Sequence, residues 1–280
     1  MDVTRRFLCN LCTKLTLSMP LWMHAGIARA MQKNVHPASA AMSPRNIDPS
    51  HLIVIDPGHG GRDPGCIGAG QVFEKDIVLD TARDLHYALR RAGYRTMMTR
   101  DRDTFVPLQD RVDFAERHRA ALLISVHANA IIGRPNIRGA SVYTFSPTPS
   151  DPLAAEIARS ENSVEVLSNP FFKGISPEAR QILFDLMDRN TKIESIVAQK
   201  AMVDSLARNV DMLANPARRA TFAVLQSKAI PSILVETAFL SNPADEAALR
   251  TPAFRHRLSL SMKDAVDAWF DTRQHALDNI

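Results

Sequence analysis

Leu52-Ile53-Val54-Ile55-Asp56-Pro57-Gly58-His59-Gly60-Gly61 decides how the rest of the chain is read. Four consecutive apolar, largely β-branched residues are the mark of a strand buried on both faces, as in a mostly parallel sheet covered by helices. The glycines that follow let the backbone turn sharply at the strand's carboxyl end, which is where open α/β sheets bind ligands. His59 leaves the turn into that crevice. A phosphate-cradling loop is excluded, because no Lys-Ser/Thr follows and the G-x-G-x-x-G spacing is absent.

Outward from this strand, short apolar runs alternate with amphipathic stretches, the α/β pattern. Strands are predicted at Leu52–Ile55, Tyr94–Thr99, Leu122–Val126, Ala140–Phe145, Phe222–Leu225 and Ser232–Val235. Helices are predicted at Lys75–Ala92, Leu108–Arg117, Pro152–Leu167, Pro177–Arg189, Lys192–Leu213 and Thr251–Trp269. Ile77, Leu79, Ala82, Leu85, Ala88 and Leu89 make a helical stripe, and Gly93 stops it. The expected fold is a single twisted, mostly parallel sheet of about six strands with helices on both faces. One connection is oversized: roughly 75 residues separate Phe145 from Phe222, where one helix and two short loops suffice. A helical insertion of about residues 150–215 is therefore expected inside a domain spanning 51–275.

Composition narrows the function. The 280 residues are 45% hydrophobic and 23% charged, as in ordinary globular proteins. Residues before Met31 carry +3 of the net +4, so the basic balance belongs to the N-terminus and gives no reason to expect a nucleic-acid partner. That N-terminus reads as a signal peptide over residues 1–30. Arg5-Arg6 in Thr4–Cys9 resembles the twin-arginine pattern, Leu15–Ile27 is moderately apolar, and Ala28-Arg29-Ala30 is a cleavage pattern. The stretch is too short for a stable membrane anchor and holds Lys14 and Pro20. Residues 31–50 read as a linker. Cys9 and Cys12 fall inside the signal, leaving Cys66 as a small packing residue with no intrachain partner.

Three residues have the chemistry of a metal site. Besides His59, Glu74 begins a helix, and His127 ends the strand Leu122–Val126. Taken singly, His59 also reads as a turn histidine and Glu74 as a helix-terminal carboxylate favoured by the dipole. Together, two imidazoles and a carboxylate at the same end of a sheet form the donor set of a catalytic zinc site with one open position. Glu236 follows the strand Ser232–Val235 with no basic neighbour in sequence, so its charge needs a metal, a partner or a solvated cleft. Such a site also suits a zinc peptidase or deacetylase acting on another periplasmic amide. No G-x-S-x-G supplies a serine nucleophile.

Ile55–Gly68 (IDPGHGGRDPGCIG), Phe73–Leu79 (FEKDIVL), Thr99–Asp103 (TRDRD), Ile124–Ala130 (ISVHANA) and Ile230–Asn242 (IPSILVETAFLSN) resemble the zinc-dependent N-acetylmuramoyl-L-alanine amidases. The resemblance implies an enzyme that cuts the stem peptide from peptidoglycan. It implies His59, Glu74 and His127 as Zn2+ ligands and Glu236 as the catalytic carboxylate. The oversized connection is similar to that of the cell-division amidases, which are held inactive by a helical segment until a protein activator displaces it. By that likeness Glu161, in Glu161–Glu165 (ENSVE), is the blocking fourth ligand. In the predicted helix Pro177–Arg189, the stripe of Ile182, Leu183, Leu186 and Met187 suits either an activator or ordinary packing on the sheet. Glu116 and Ala121 depart from the family's usual Asn and Asp, which leaves only local packing in doubt.

Overall fold

The computed structural model describes residues 51–131, 133–168 and 189–278. The predicted signal peptide, the linker and residues 177–188 of the predicted activator-binding helix lie outside the described residues.

In chain order the elements are β1 (Leu52–Pro57), α1 (Glu74–Arg91), β2 (Arg95–Met98), α2 (Leu108–Arg117), β3 (Leu122–His127) and β4 (Ala140–Phe145), then α3 (Pro152–Ser168), α4 (Arg189–Leu206), β5 (Met212–Ala220), β6 (Ser232–Glu236), α5 (Pro243–Leu249) and α6 (Pro252–Asp278). The strands form one sheet in the order β2-β1-β3-β6-β4-β5. All neighbours are parallel except β4 and β6, which are antiparallel.

Strand alternation divides the core between the two faces. Ile53, Ile55, Ile124, Val126, Ile233 and Val235 face α1, α4 and α6, where Leu85, Leu89, Met202, Leu206, Met262 and Trp269 meet them. On the other face Leu52, Val54 and Leu123 pack on α2 through Ala115. There too Tyr143, Phe145 and Leu234 pack on α3 through Ala154, Ile157 and Ala158. Among its described residues the long connection thus places α3 on one face of the sheet and α4 on the other.

Two expectations are corrected. Phe222–Leu225 is not a strand: Ala223–Leu225 is a single 3-10 turn whose apolar side chains fill the second core. The sixth strand is β5, and the predicted helix Lys192–Leu213 ends at Leu206 instead. β5 carries Pro216, which cannot donate to a ladder, and Asn215 at φ 53°, so it shows no apolar run and is tolerated because it lies at the sheet edge. The short helix α5 carries no apolar stripe that predicts it; Asn242 caps it by accepting from the Ala244 and Asp245 N–H groups.

Candidate active site

The parallel strands β1, β3 and β6 finish together at one end of the sheet. Pro57 stands opposite Val126, and His127 opposite Glu236. Just past β1 the chain passes so close to β3 that a Cβ on Gly58 would lie 2.3 Å from the His127 ring. His59 follows in the left-handed region at φ 57°, a costly conformation for a residue with a side chain.

Buried arginines hold that turn. Arg111 donates to the Asp56 carboxylate (2.7 Å) and to the carbonyls of Pro57 (2.7 Å), His59 (2.8 Å) and Val106 (2.9 Å). Arg100 donates to the carbonyls of Pro57 (3.0 Å) and Gly58 (2.6 Å). Asp56 also accepts from Thr99 (2.5 Å) and Ser125 (2.7 Å). Burial would raise the Asp56 carboxyl, but Arg111 and the two hydroxyls hold it below the usual range. A depressed folded-state pKa contributes stability above the unfolded value, about 3.9, and that contribution is lost as the pH falls through the folded pKa. Arg111→Met strands a buried carboxylate and should destabilise the fold by about 3–5 kcal/mol. The deficit should be largest near neutral pH and shrink as the pH falls and the stranded Asp56 is protonated, as read from denaturant titrations across pH. A deficit independent of pH would show that Arg111 does not hold Asp56 ionised.

The predicted metal-site residues converge. Single ligand atoms of His59, Glu74, His127 and Glu161, all buried, lie within 4.8 Å of one another. His59 Nε2 is 3.1 Å from Glu74 Oε2 and 3.3 Å from Glu161 Oε2. His127 Nδ1 is 3.2 Å from Glu74 Oε1 and 3.0 Å from Glu161 Oε2. Glu74 does not cap its own helix. Its oxygens reach across the loops and accept from the N–H groups of Cys66 and Ala128, both at 2.9 Å. Asp63 contacts His59 Nδ1 at 2.8 Å; a carboxylate there takes the Nδ1–H and leaves the Nε2 lone pair for the cluster.

Electrostatically the cluster calls for a cation. Burial would depress both imidazoles, yet the surrounding carboxylates hold His59 well above the usual histidine range and push His127 up to about 10. Glu74 is held well below the carboxylate range, despite its burial, by the two histidines. Among the described residues, His59 Nε2 and both Glu161 oxygens are buried without a hydrogen-bond partner. Unsatisfied buried donors and acceptors are costly, and a divalent ion would satisfy all three. The donor set therefore fits a metal.

Glu236 stands beside the cluster but outside its ligand set. Fully buried, its oxygens accept from the Asn129 N–H (3.0 Å) and Asn129 Nδ2 (3.3 Å). Burial pushes its carboxyl up to about 8 in spite of His127. Sequence reasoning assigned no role to Asn129, Arg111, Arg100 or Asp56. Glu116, one of the two departures from the family pattern, accepts from Ser227 Oγ away from the cluster.

Comparison with known proteins decides the family. The sequence profile of the N-acetylmuramoyl-L-alanine amidases (Amidase_3) matches residues 53–268. The chain belongs to that family. This amidase is 34% identical over 227 residues to AmiA of Escherichia coli K12, covering 80% of this chain and 78% of that one. With AmiC of Escherichia coli O6:H1 it shares 35% over 244 residues, 86% of this chain and 58% of that one. AmiC2 of Nostoc punctiforme has a similar fold, with a TM-score of 0.60 at 26% identity over 79% of this chain and 98% of that one. The amidase hydrolyses the bond between N-acetylmuramic acid and L-alanine of peptidoglycan, which sets aside the peptidase and deacetylase readings. No helix among its described residues is long and apolar enough to cross a membrane.

Proposed function

We propose that the amidase is a zinc enzyme held in an autoinhibited state, with His59, Glu74 and His127 as the metal ligands and Glu161 closing the fourth position. The convergence of four buried ligand atoms within 4.8 Å carries this reading. The four-coordinate preference of zinc, met by neutral imidazoles and carboxylates, favours that ion. When bound, zinc supplies Lewis acidity, polarising the scissile carbonyl and lowering the pKa of water towards neutrality. Glu236 accepts the proton of the attacking water and returns it to the departing alanine nitrogen.

Glu161 supports the regulatory part of the reading. It comes from α3, within the oversized connection, and is only 5% exposed. Its Oε2 lies 3.3 Å from His59 Nε2 and 3.0 Å from His127 Nδ1, within reach of both imidazoles at once. A carboxylate there excludes water from the open position, so turnover requires α3 to withdraw. A protein activator binding the insertion would favour the withdrawn state by population shift. The N-terminal Arg5-Arg6, the apolar stretch Leu15–Ile27 and Ala28-Arg29-Ala30 support twin-arginine export to the periplasm. There the enzyme would act on the wall during cell separation.

Glu161→Ala should release at least about tenfold more dye from labelled sacculi than the parent chain, as expected if the open state holds no more than ~10% of the population. Equal release, with zinc content equal in both, would remove the autoinhibitory role of Glu161.

A further inference from the structure

We infer that Asn129 is the residue that positions Glu236 for proton transfer, gripping both oxygens of its carboxylate at once. The inference rests on Glu236 being the catalytic carboxylate. Asn129 and Glu236 are both 0% exposed. The backbone N–H of Asn129 reaches Oε2 at 3.0 Å and its side-chain amide reaches Oε1 at 3.3 Å. No other hydrogen bond to the Glu236 carboxylate is found among the described residues, so its orientation is set by this one residue.

Asn129 is itself fixed from several sides. Its Oδ1 accepts from the Ala130 N–H (2.6 Å), which turns the NH2 group towards Glu236. Its carbonyl accepts from the Leu240 N–H (2.6 Å), tying the loop after β3 to the loop after β6. The residue also stands two positions after His127, whose carbonyl accepts from the N–H and the hydroxyl of Thr237 (2.9 and 2.8 Å). The ligand-bearing strand and the base-bearing strand are thereby locked in one register, and Asn129 converts that register into the aim of the carboxylate.

The chemistry explains why an amide suits this place. A carboxylate that must accept a proton and then release it keeps a lone pair free, and two neutral donors from one side hold it without neutralising it. An arginine or lysine there would suppress its basicity. An apolar residue would leave one oxygen unpaired in a buried site and free to rotate. Positioning of this kind affects the chemical step and not the holding of metal or substrate.

The test uses the zinc-loaded full chain, with soluble muramyl peptides for kinetics. Asn129→Ala should lower kcat about 10- to 100-fold, with KM and the zinc Kd, from chelator competition, within about twofold of the parent. Asn129→Asp, which nearly preserves shape but sets a second acceptor against Glu236, should lower kcat at least as far. In a Glu236→Gln background the alanine change should cost no more than about twofold, because the group it positions is gone. A full loss of kcat in both backgrounds would overturn the inference by making Asn129 act independently of Glu236. So would a loss expressed in the zinc Kd, or a near-parental kcat for both Asn129 variants while Glu236→Gln is inactive. A near-parental kcat for Glu236→Gln itself would instead refute the role of Glu236. Thermal unfolding of each variant identifies any that loses activity only by failing to fold.

Discussion

Glu236→Gln should retain zinc at the parental stoichiometry and lose about 10²–10⁴ in turnover, the usual contribution of a positioned general acid–base. The substitution keeps shape and burial, and the new amide oxygen still accepts one bond from Asn129; it removes only the capacity to take a proton. Its effect on folding has the opposite sign. Burial pushes the carboxyl up to about 8, so the folded state holds a proton that the unfolded chain releases near 4.3. A raised folded-state pKa favours the folded state fully below the unfolded value and loses that preference as the pH rises through the folded one. Glutamine carries no such dependence. In metal-free protein the variant should therefore gain stability relative to the parent between about pH 5 and 8. Turnover near the parental value, with zinc bound, would move the proton-transfer role to another carboxylate. A parental stability curve in the metal-free variant would show that Glu236 is not the group whose ionisation opposes folding.

Much of this site is legible in sequence because its strands are short, mostly apolar buried runs that end at or just before the residues that carry chemistry. Leu52–Ile55, Leu122–Val126 and Ser232–Val235 are buried along their whole length, so the polar residue that follows marks both the end of the strand and the edge of the crevice. β5 is not legible for the converse reason: an edge strand with Pro216 and exposed arginine has no interior to declare itself by. Arg111 lies in a ten-residue helix with ordinary charges around it. Its burial follows only from Asp56, 55 positions earlier, and from carbonyls that no sequence displays as acceptors. Asn129 came closer to view. It sits in the ISVHANA run, and an amide two residues after a strand's last buried position is a signal that a polar partner lies across the sheet.

His127→Ala should abolish zinc retention and turnover together, with an affinity loss greater than the ~10–100-fold typical of changes to groups that only orient a ligand. Gly58, which has no ligand atom, holds the same imidazole in place. A Cβ on Gly58 would meet three atoms of the His127 ring between 2.3 and 2.8 Å, and the ring is enclosed, being only 3% exposed. Gly58→Ala should therefore displace the imidazole from the cluster and lose zinc nearly as completely as His127→Ala, although every ligand is still present. Overpacking of this kind typically costs about 1–3 kcal/mol. In the His127→Ala background the space is free, and adding Gly58→Ala should cost far less stability than it does alone, a non-additivity read from urea midpoints of the four metal-free proteins. Equilibrium dialysis against zinc supplies the second measurement. If Gly58→Ala binds zinc like the parent, the imidazole has another way to reach the metal and the tight approach of β1 to β3 is not what places it. If His127→Ala keeps its zinc, the three-ligand site is wrong in its third member.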